Sequence, residues 1–158
     1  MSDMNKLYIL IRNDLHSMNT GKAIAQSSHC VSQFMTKYPK DAKEWCKEAD
    51  GFGTTVVMEG SQEEIEKFMC DNIRHKGYVN GDIIDPTYPF KLQEEIIPFL
   101  VEGLNDIQVV DYNTDPYGMV KATRKEYTAS WFYFPANCQE IEPELKEKME
   151  ECNIKLYR

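Results

Sequence analysis

Lys22, Gln26, His29 and Gln33 fall at i, i+4, i+7 and i+11, a spacing that stacks them in one polar stripe along a helix. The stripe holds a cation, two amides for hydrogen bonding and an imidazole, and a lone histidine on a helix beside small residues is as often structural as catalytic. Ala23, Ala25, Ser27 and Ser28 keep the surrounding helix thin, so a backbone or ligand can approach closely, while Ile24, Val31 and Met35 face the other way. On periodicity alone the commoner arrangement is an ordinary amphipathic helix with its polar side in water. Before the stripe, Asn19-Thr20-Gly21-Lys22 offers backbone N–H groups and a lysine to a phosphate. Its spacing is not that of a P-loop, which argues against a nucleotide triphosphatase. Ser27 and His29, two residues apart on a helix, point in different directions and form no nucleophilic pair.

A second candidate is Asp85. It follows Asp82-Ile83-Ile84 and precedes proline, a setting that puts a carboxylate at the rim of a parallel sheet, where ligands bind. The commoner role for such a residue is a turn aspartate capping local N–H groups, with Thr87 and Tyr88 as further turn chemistry.

Composition narrows the class of protein. A chain of 158 residues, 42% hydrophobic, suffices for one substantial core and is short for two domains, so 1–158 is expected to be a single domain. The apolar run Leu7 to Ile11 is too short for a signal peptide core or a membrane span, and no membrane partner is expected. Five widely spaced cysteines, at 30, 46, 70, 138 and 152, make neither a zinc nor a disulfide framework, and point to reduced thiols in the cytoplasm. A net charge of -8 runs against nucleic-acid binding, but it is unevenly spread. Residues 1–40 carry five basic side chains against two acidic ones, and the remainder 13 against 24, which leaves room for a local basic face.

The elements that would position these groups alternate strand and helix. Lys6 to Arg12 reads as a strand buried on both faces and central in its sheet, followed by a helix from Asn19 or Thr20 to about Tyr38 and a further helical stretch at Lys43 to Ala49. Thr54 to Glu59 is the second strand. Ser61-Gln62-Glu63-Glu64 is a capping box opening a helix with Ile65, Phe68, Met69 and Ile73 on one face. Asp82 to Ile84 is a short strand, Leu92 to Leu100 a helix interrupted at Pro98, Ile107 to Tyr112 a strand or hairpin arm, and Thr128 to Phe134 a strand stopped by Pro135. Pro143 starts a final helix with Leu145, Met149 and Cys152 at core spacing. The pattern predicts a single-domain three-layer α/β/α sandwich whose small sheet is mixed and mostly parallel, with 91–122 as an insertion.

The run Arg12-Asn13-Asp14-Leu15, then Gly21-Lys22, then Ala25-Gln26-Ser27-Ser28-His29 resembles the opening signature of the archaeal and eukaryotic type of peptidyl-tRNA hydrolase. That family has an RxDL strand end, a GK pair and an AAQxxH helix, and a third strand ending in aspartate, here Asp85. The likeness covers roughly residues 6–88, and more loosely Tyr127 to Pro135. It departs in four places. The loop His16 to Gly21 has an extra residue and lacks the lysine-rich run; Ile24 replaces an alanine; Pro86-Thr87-Tyr88-Pro89 replaces a glycine-rich turn; and 91–122 lengthens the domain.

The resemblance implies an esterase that frees tRNA from a peptide or N-blocked amino acid with no metal or cofactor. Asp85 would orient or deprotonate water, Lys22 would stabilise the oxyanion or the terminal phosphates, and Gln26 and Thr128 would supply hydrogen bonds. It also implies Arg12, Asp14, His29 and Thr87 as substrate-binding residues, tRNA as partner and a homodimer. Thr123 stands as the alternative threonine, and Asp111 and Asp115 as rival carboxylates. A catalytically inactive tRNA- or protein-binding module of the same fold is the alternative function.

Overall fold

A computed structural model describes residues 4–15, 17–91, 107–111 and 121–158. Strand β1, Lys6–Arg12, is the central element the sequence predicts: its apolar residues fill both faces. Leu7, Ile9 and Ile11 point to one layer and Tyr8 and Leu10 to the other. Strand β2, Thr54–Gly60, lies parallel to it in the register Lys6↔Thr54 to Arg12↔Gly60. Helices α1, Thr20–Lys37, and α2, Pro39–Trp45, make the crossover between them. Helix α2 starts earlier than the expected Lys43, because Pro39 supplies a preset first turn. It ends before Ala49 and Asp50, whose positive φ angles are incompatible with a continuing helix.

The remaining strands are antiparallel. Strand β5, Lys121–Phe134, runs against β1; β3, Asn80–Lys91, pairs with the other side of β5; and β6, Lys155–Leu156, closes the far edge on β2. Strand β4, Ile107–Asp111, matches the expected arm at 107–112 and pairs with the first residues of β5. The sheet is therefore mixed as expected, but not mostly parallel: of the five strand pairings among the described residues, only β1 with β2 is parallel. That pair is joined by a helical crossover returning in the same direction. The expected helix at 92–100 lies outside the described residues.

Helices α1 and α2 cover one face of the sheet, burying Cys30, Phe34, Ala42 and Trp45 against Ile9, Ala129, Trp131 and Tyr133. Helices α3, Gln62–Phe68, and α4, Glu142–Glu151, cover the other, with Ile65, Phe68, Leu145 and Met149 against Tyr8, Phe132 and Phe134. This is the predicted three-layer sandwich. The capping box is formed: Ser61 Oγ accepts from Glu64 N and the Glu64 carboxylate accepts from Ser61 N. No helix among the described residues is long and apolar enough to cross a membrane.

Candidate active site

The two amides of the α1 stripe turn inward, while His29 stays exposed and Lys22 half-buried. The amides pack against β3 and β5: Gln26 is buried, and Gln33 donates to the Asp82 carbonyl and accepts from Trp131 Nε1 at 2.7 Å. Of the apolar residues opposite, Ile24 is 63% and Met35 46% exposed, while Val31 packs against the core. A helix that buries polar groups must satisfy each of them inside, and these amides do so with named partners.

Two irregularities in the β3–β5 ladder set the geometry. Ile83 pairs with Ala129 and Ile84 with Tyr127, so Thr128 is an extra residue on β5. Strict alternation would put Thr128 on the same face as Ser130 and Phe132; the bulge turns it toward α1 instead. The second irregularity lies on β3, where Asp85 pairs with Glu126 and Tyr88 with Arg124, leaving one extra residue at Pro86–Thr87. Three residues apart, Asp85 and Tyr88 would face opposite sides of a regular strand. The extra residue returns Tyr88 to the side of Asp85, under α1. The strand therefore does not end at Asp85, as the sequence suggests, but kinks there and continues to Lys91. Pro86 and Pro89 are tolerated because β3 is at the edge of the sheet, where a missing N–H costs no interior ladder bond.

The result is a chain of contacts. Thr128 Oγ1 donates to Gln26 Oε1 at 2.7 Å, and Gln26 Nε2 donates to Asp85 Oδ2 at 2.9 Å. The other carboxylate oxygen, Asp85 Oδ1, accepts from Thr87 N at 2.9 Å. Asp85 thus combines both roles open to it from sequence, capping its own turn and facing the helix. Four residues before Gln26, hence about 6 Å along the helix axis, Lys22 Nζ donates to the Ser17 carbonyl at 2.8 Å. The same ammonium lies 5.3 Å from the centroid of the Tyr88 ring. The side chain of Asn19 caps α1 by accepting from Lys22 N at 2.9 Å.

Arg12 and Asp14 sit beside this chain and are engaged with each other. Arg12 Nε and Nη2 donate to Asp14 at 2.8 and 3.2 Å, and Nη1 to Glu126 Oε1 at 2.7 Å and the Tyr127 carbonyl at 2.8 Å. Burial disfavours the charged guanidinium, yet Asp14 and Glu126 more than offset this and raise its pKa. Burial likewise works against ionised Asp14, but the hydrogen bonds and charge of Arg12, with the Gln62 N–H, hold its carboxyl below the usual aspartate value. Glu126 is the register partner of Asp85, so the buried Arg12 guanidinium, clamped between it and the more exposed Asp14, fixes the strand pair behind the carboxylate.

His29 is exposed on α1 and Thr87 on β3, and both line a groove whose wall includes Asp85. Thr123 pairs with Pro89 and Gln108, well along β5 from Gln26. Asp111 ends β4 opposite Lys121, and Asp115 lies outside the described residues. Tyr88 is the residue that sequence reasoning missed, taking it for part of a turn. Its signal was an aromatic between two prolines, a side chain too large for a bare turn. Among the described residues no three His, Cys, Asp or Glu side chains are grouped as a metal site.

A family model described as peptidyl-tRNA hydrolase PTH2 matches residues 5–88, just over half of the chain and the span holding β1, α1 and Asp85. No curated protein sequence matches. The strand end at Arg12, the Lys22–Gln26 helix and the Asp85 contact all fall within that span, and the chain belongs to the PTH2 family of peptidyl-tRNA hydrolases.

Proposed function

We propose that this protein hydrolyses the ester between a peptide, or an N-blocked amino acid, and the 3′ ribose of tRNA without a metal ion or cofactor. The observation that carries the reading is the Thr128–Gln26–Asp85 relay, with Lys22 one turn away on the same helix. An ester hydrolase needs a positioned water, a proton acceptor and positive character near the developing oxyanion. Asp85 is the acceptor. Its Oδ2 is oriented by the Gln26 amide, whose own direction is set by the Thr128 hydroxyl. Water loses a proton to Asp85 as its oxygen attacks the ester carbon, and Lys22 stabilises the oxyanion or the adjoining phosphate. As the intermediate collapses, the C–O bond to ribose breaks and the ribose oxygen takes the proton held by Asp85, freeing tRNA, while the peptide acid gives up its own proton to solvent to become a carboxylate.

Arg12 and Asp14 act as structural supports in this scheme, since each is paired with the other. The five free thiols suit a reducing cytoplasm. Residues 1–158 function as one domain carrying an insertion at about 91–122, and the protein works as a homodimer.

The test is release of free tRNA from N-acetyl-aminoacyl-tRNA in EDTA, comparing the unmodified protein with Asp85→Asn. Turnover in EDTA that this single change reduces by at least about 100-fold is expected for loss of a general base. Binding of tRNA without turnover would instead favour a catalytically inactive binding module.

A further inference from the structure

We infer that the groove between the outer flank of α1 and the edge of β3 is a subsite for the peptide part of the substrate, bound in extended form along β3. The inference rests on the hydrolase reading above and extends it to substrate recognition.

Helix α1 and strand β3 run side by side, and their functional groups follow one order. Lys22 and Tyr88 come first, Gln26 and Asp85 next, and Gln33 and Asp82 last. The substrate has its own fixed order of phosphate, ribose, ester and peptide. With the ester at Asp85 and the phosphate on the Lys22 side, at the N-terminal end of α1, the peptide must leave in the opposite direction. On the α1 side that direction opens into a groove of about 560 Å³, walled by His29, Ser32, Thr36 and Lys37 of α1 and by β3 from Ile83 past Asp85 to Thr87. Asp85 is thus shared between the relay and the groove.

The wall is suited to a peptide of any sequence. Strand β3 is the last strand on its side of the sheet, and among the described residues no strand pairs with its outer edge. A sheet edge recognises an extended chain through main-chain N–H and C=O groups whatever its side chains. On this edge the Asp82 carbonyl is engaged by Gln33 and Thr87 N by Asp85, which confines such pairing to the segment between them. Ile84, 53% exposed on this edge, supplies an apolar contact that is equally tolerant. Small hydroxyl side chains at Ser32 and Thr36 leave the opposite wall open. A hydrolase acting on peptides of varied sequence gains from a site that reads the backbone.

The experiment uses the full chain and a series of N-acetylated substrates carrying one to four residues on the same tRNA with the same C-terminal residue. The expected result is a rise in kcat/KM of about tenfold from one residue to three, then a plateau, as remote binding energy is added and exhausted. Ser32→Trp, an exposed helix position, should fill the groove and bring the three-to-one ratio close to one, and Thr36→Trp should do the same by an independent route. A three-residue substrate with N-methylated internal amides should lose the gain on unmodified protein. A flat length profile would overturn the subsite while leaving the hydrolase reading intact. Persistence of the rise in both folded tryptophan variants, or with the N-methylated substrate, would also overturn it. Failure to release tRNA from any member of the series would overturn the hydrolase reading, and the subsite with it.

Discussion

The Thr128 hydroxyl donates to Gln26 Oε1, and this contact decides which end of the Gln26 amide faces Asp85. Both side chains are buried, so the amide has no water to compensate a lost partner. Thr128→Val keeps the shape and removes the donor. The expected outcome is a fall in kcat of about tenfold, with a loss of roughly 1–3 kcal/mol in stability from the unsatisfied carbonyl oxygen. Thr128→Ser should retain most activity. Steady-state tRNA release and urea unfolding on the three proteins check the pair of effects.

Tyr88 lies fully buried beneath the Lys22 ammonium, in the segment where this chain has Pro-Thr-Tyr-Pro. A ring face under a partly desolvated cation contributes on the order of 0.5–2 kcal/mol to its placement. Tyr88→Phe keeps that face and should hold kcat/KM within about twofold, whereas Tyr88→Leu should lower it about three- to tenfold. Equal rates for the leucine and phenylalanine variants would show that the ring does not position Lys22.

How far the fold could be read in advance depended on the kind of signal. β1 was legible because seven consecutive residues suit a strand buried on both faces, and α3 because its capping box is a local chemical motif. The direction of β5 was not, since periodicity identifies a strand without saying which neighbour it meets. The stripe of Lys22, Gln26 and Gln33 was visible, but the side of α1 facing the protein was decided by partners such as Trp131 and Asp85, distant in sequence. Family likeness singles out Thr128, whereas alternation alone points it away from Gln26. The bulge that corrects this has no signature in residue type.

Gly81 provides a test of how tightly α1 must sit on β3. A Cβ there would meet Gln33 Oε1 and come within 2.7 Å of Trp131 Nε1, the two atoms that form the hydrogen bond holding the helix to the sheet. Gly81→Ala should therefore shift α1 outward and cost about 1–3 kcal/mol. Because Gln26 rides on the same helix, kcat should also fall, even though Gly81 touches none of the reacting groups. A drop in thermal stability with unchanged kcat would mean that the strain is absorbed without moving Gln26.

The Arg12 clamp makes a prediction that depends on acid. Asp14 has its carboxyl held below the ordinary value of 3.8, so its ionised form stabilises the folded state. The contribution is fully present above 3.8 and is lost as pH falls through the depressed folded value. Unfolding free energy should therefore decline more steeply in this acidic window for the unmodified protein than for Asp14→Asn, the two curves running closer to parallel above it. Arg12→Met should act at neutral pH as well, costing about 2–4 kcal/mol. It leaves Glu126 largely buried without its guanidinium, while Asp14 is exposed enough for water to replace part of what it loses. Chemical denaturation of the three proteins across the acidic range measures both effects. If Asp14→Asn followed the unmodified curve throughout, the clamp would hold β1 to β5 through Glu126 and the Tyr127 carbonyl alone.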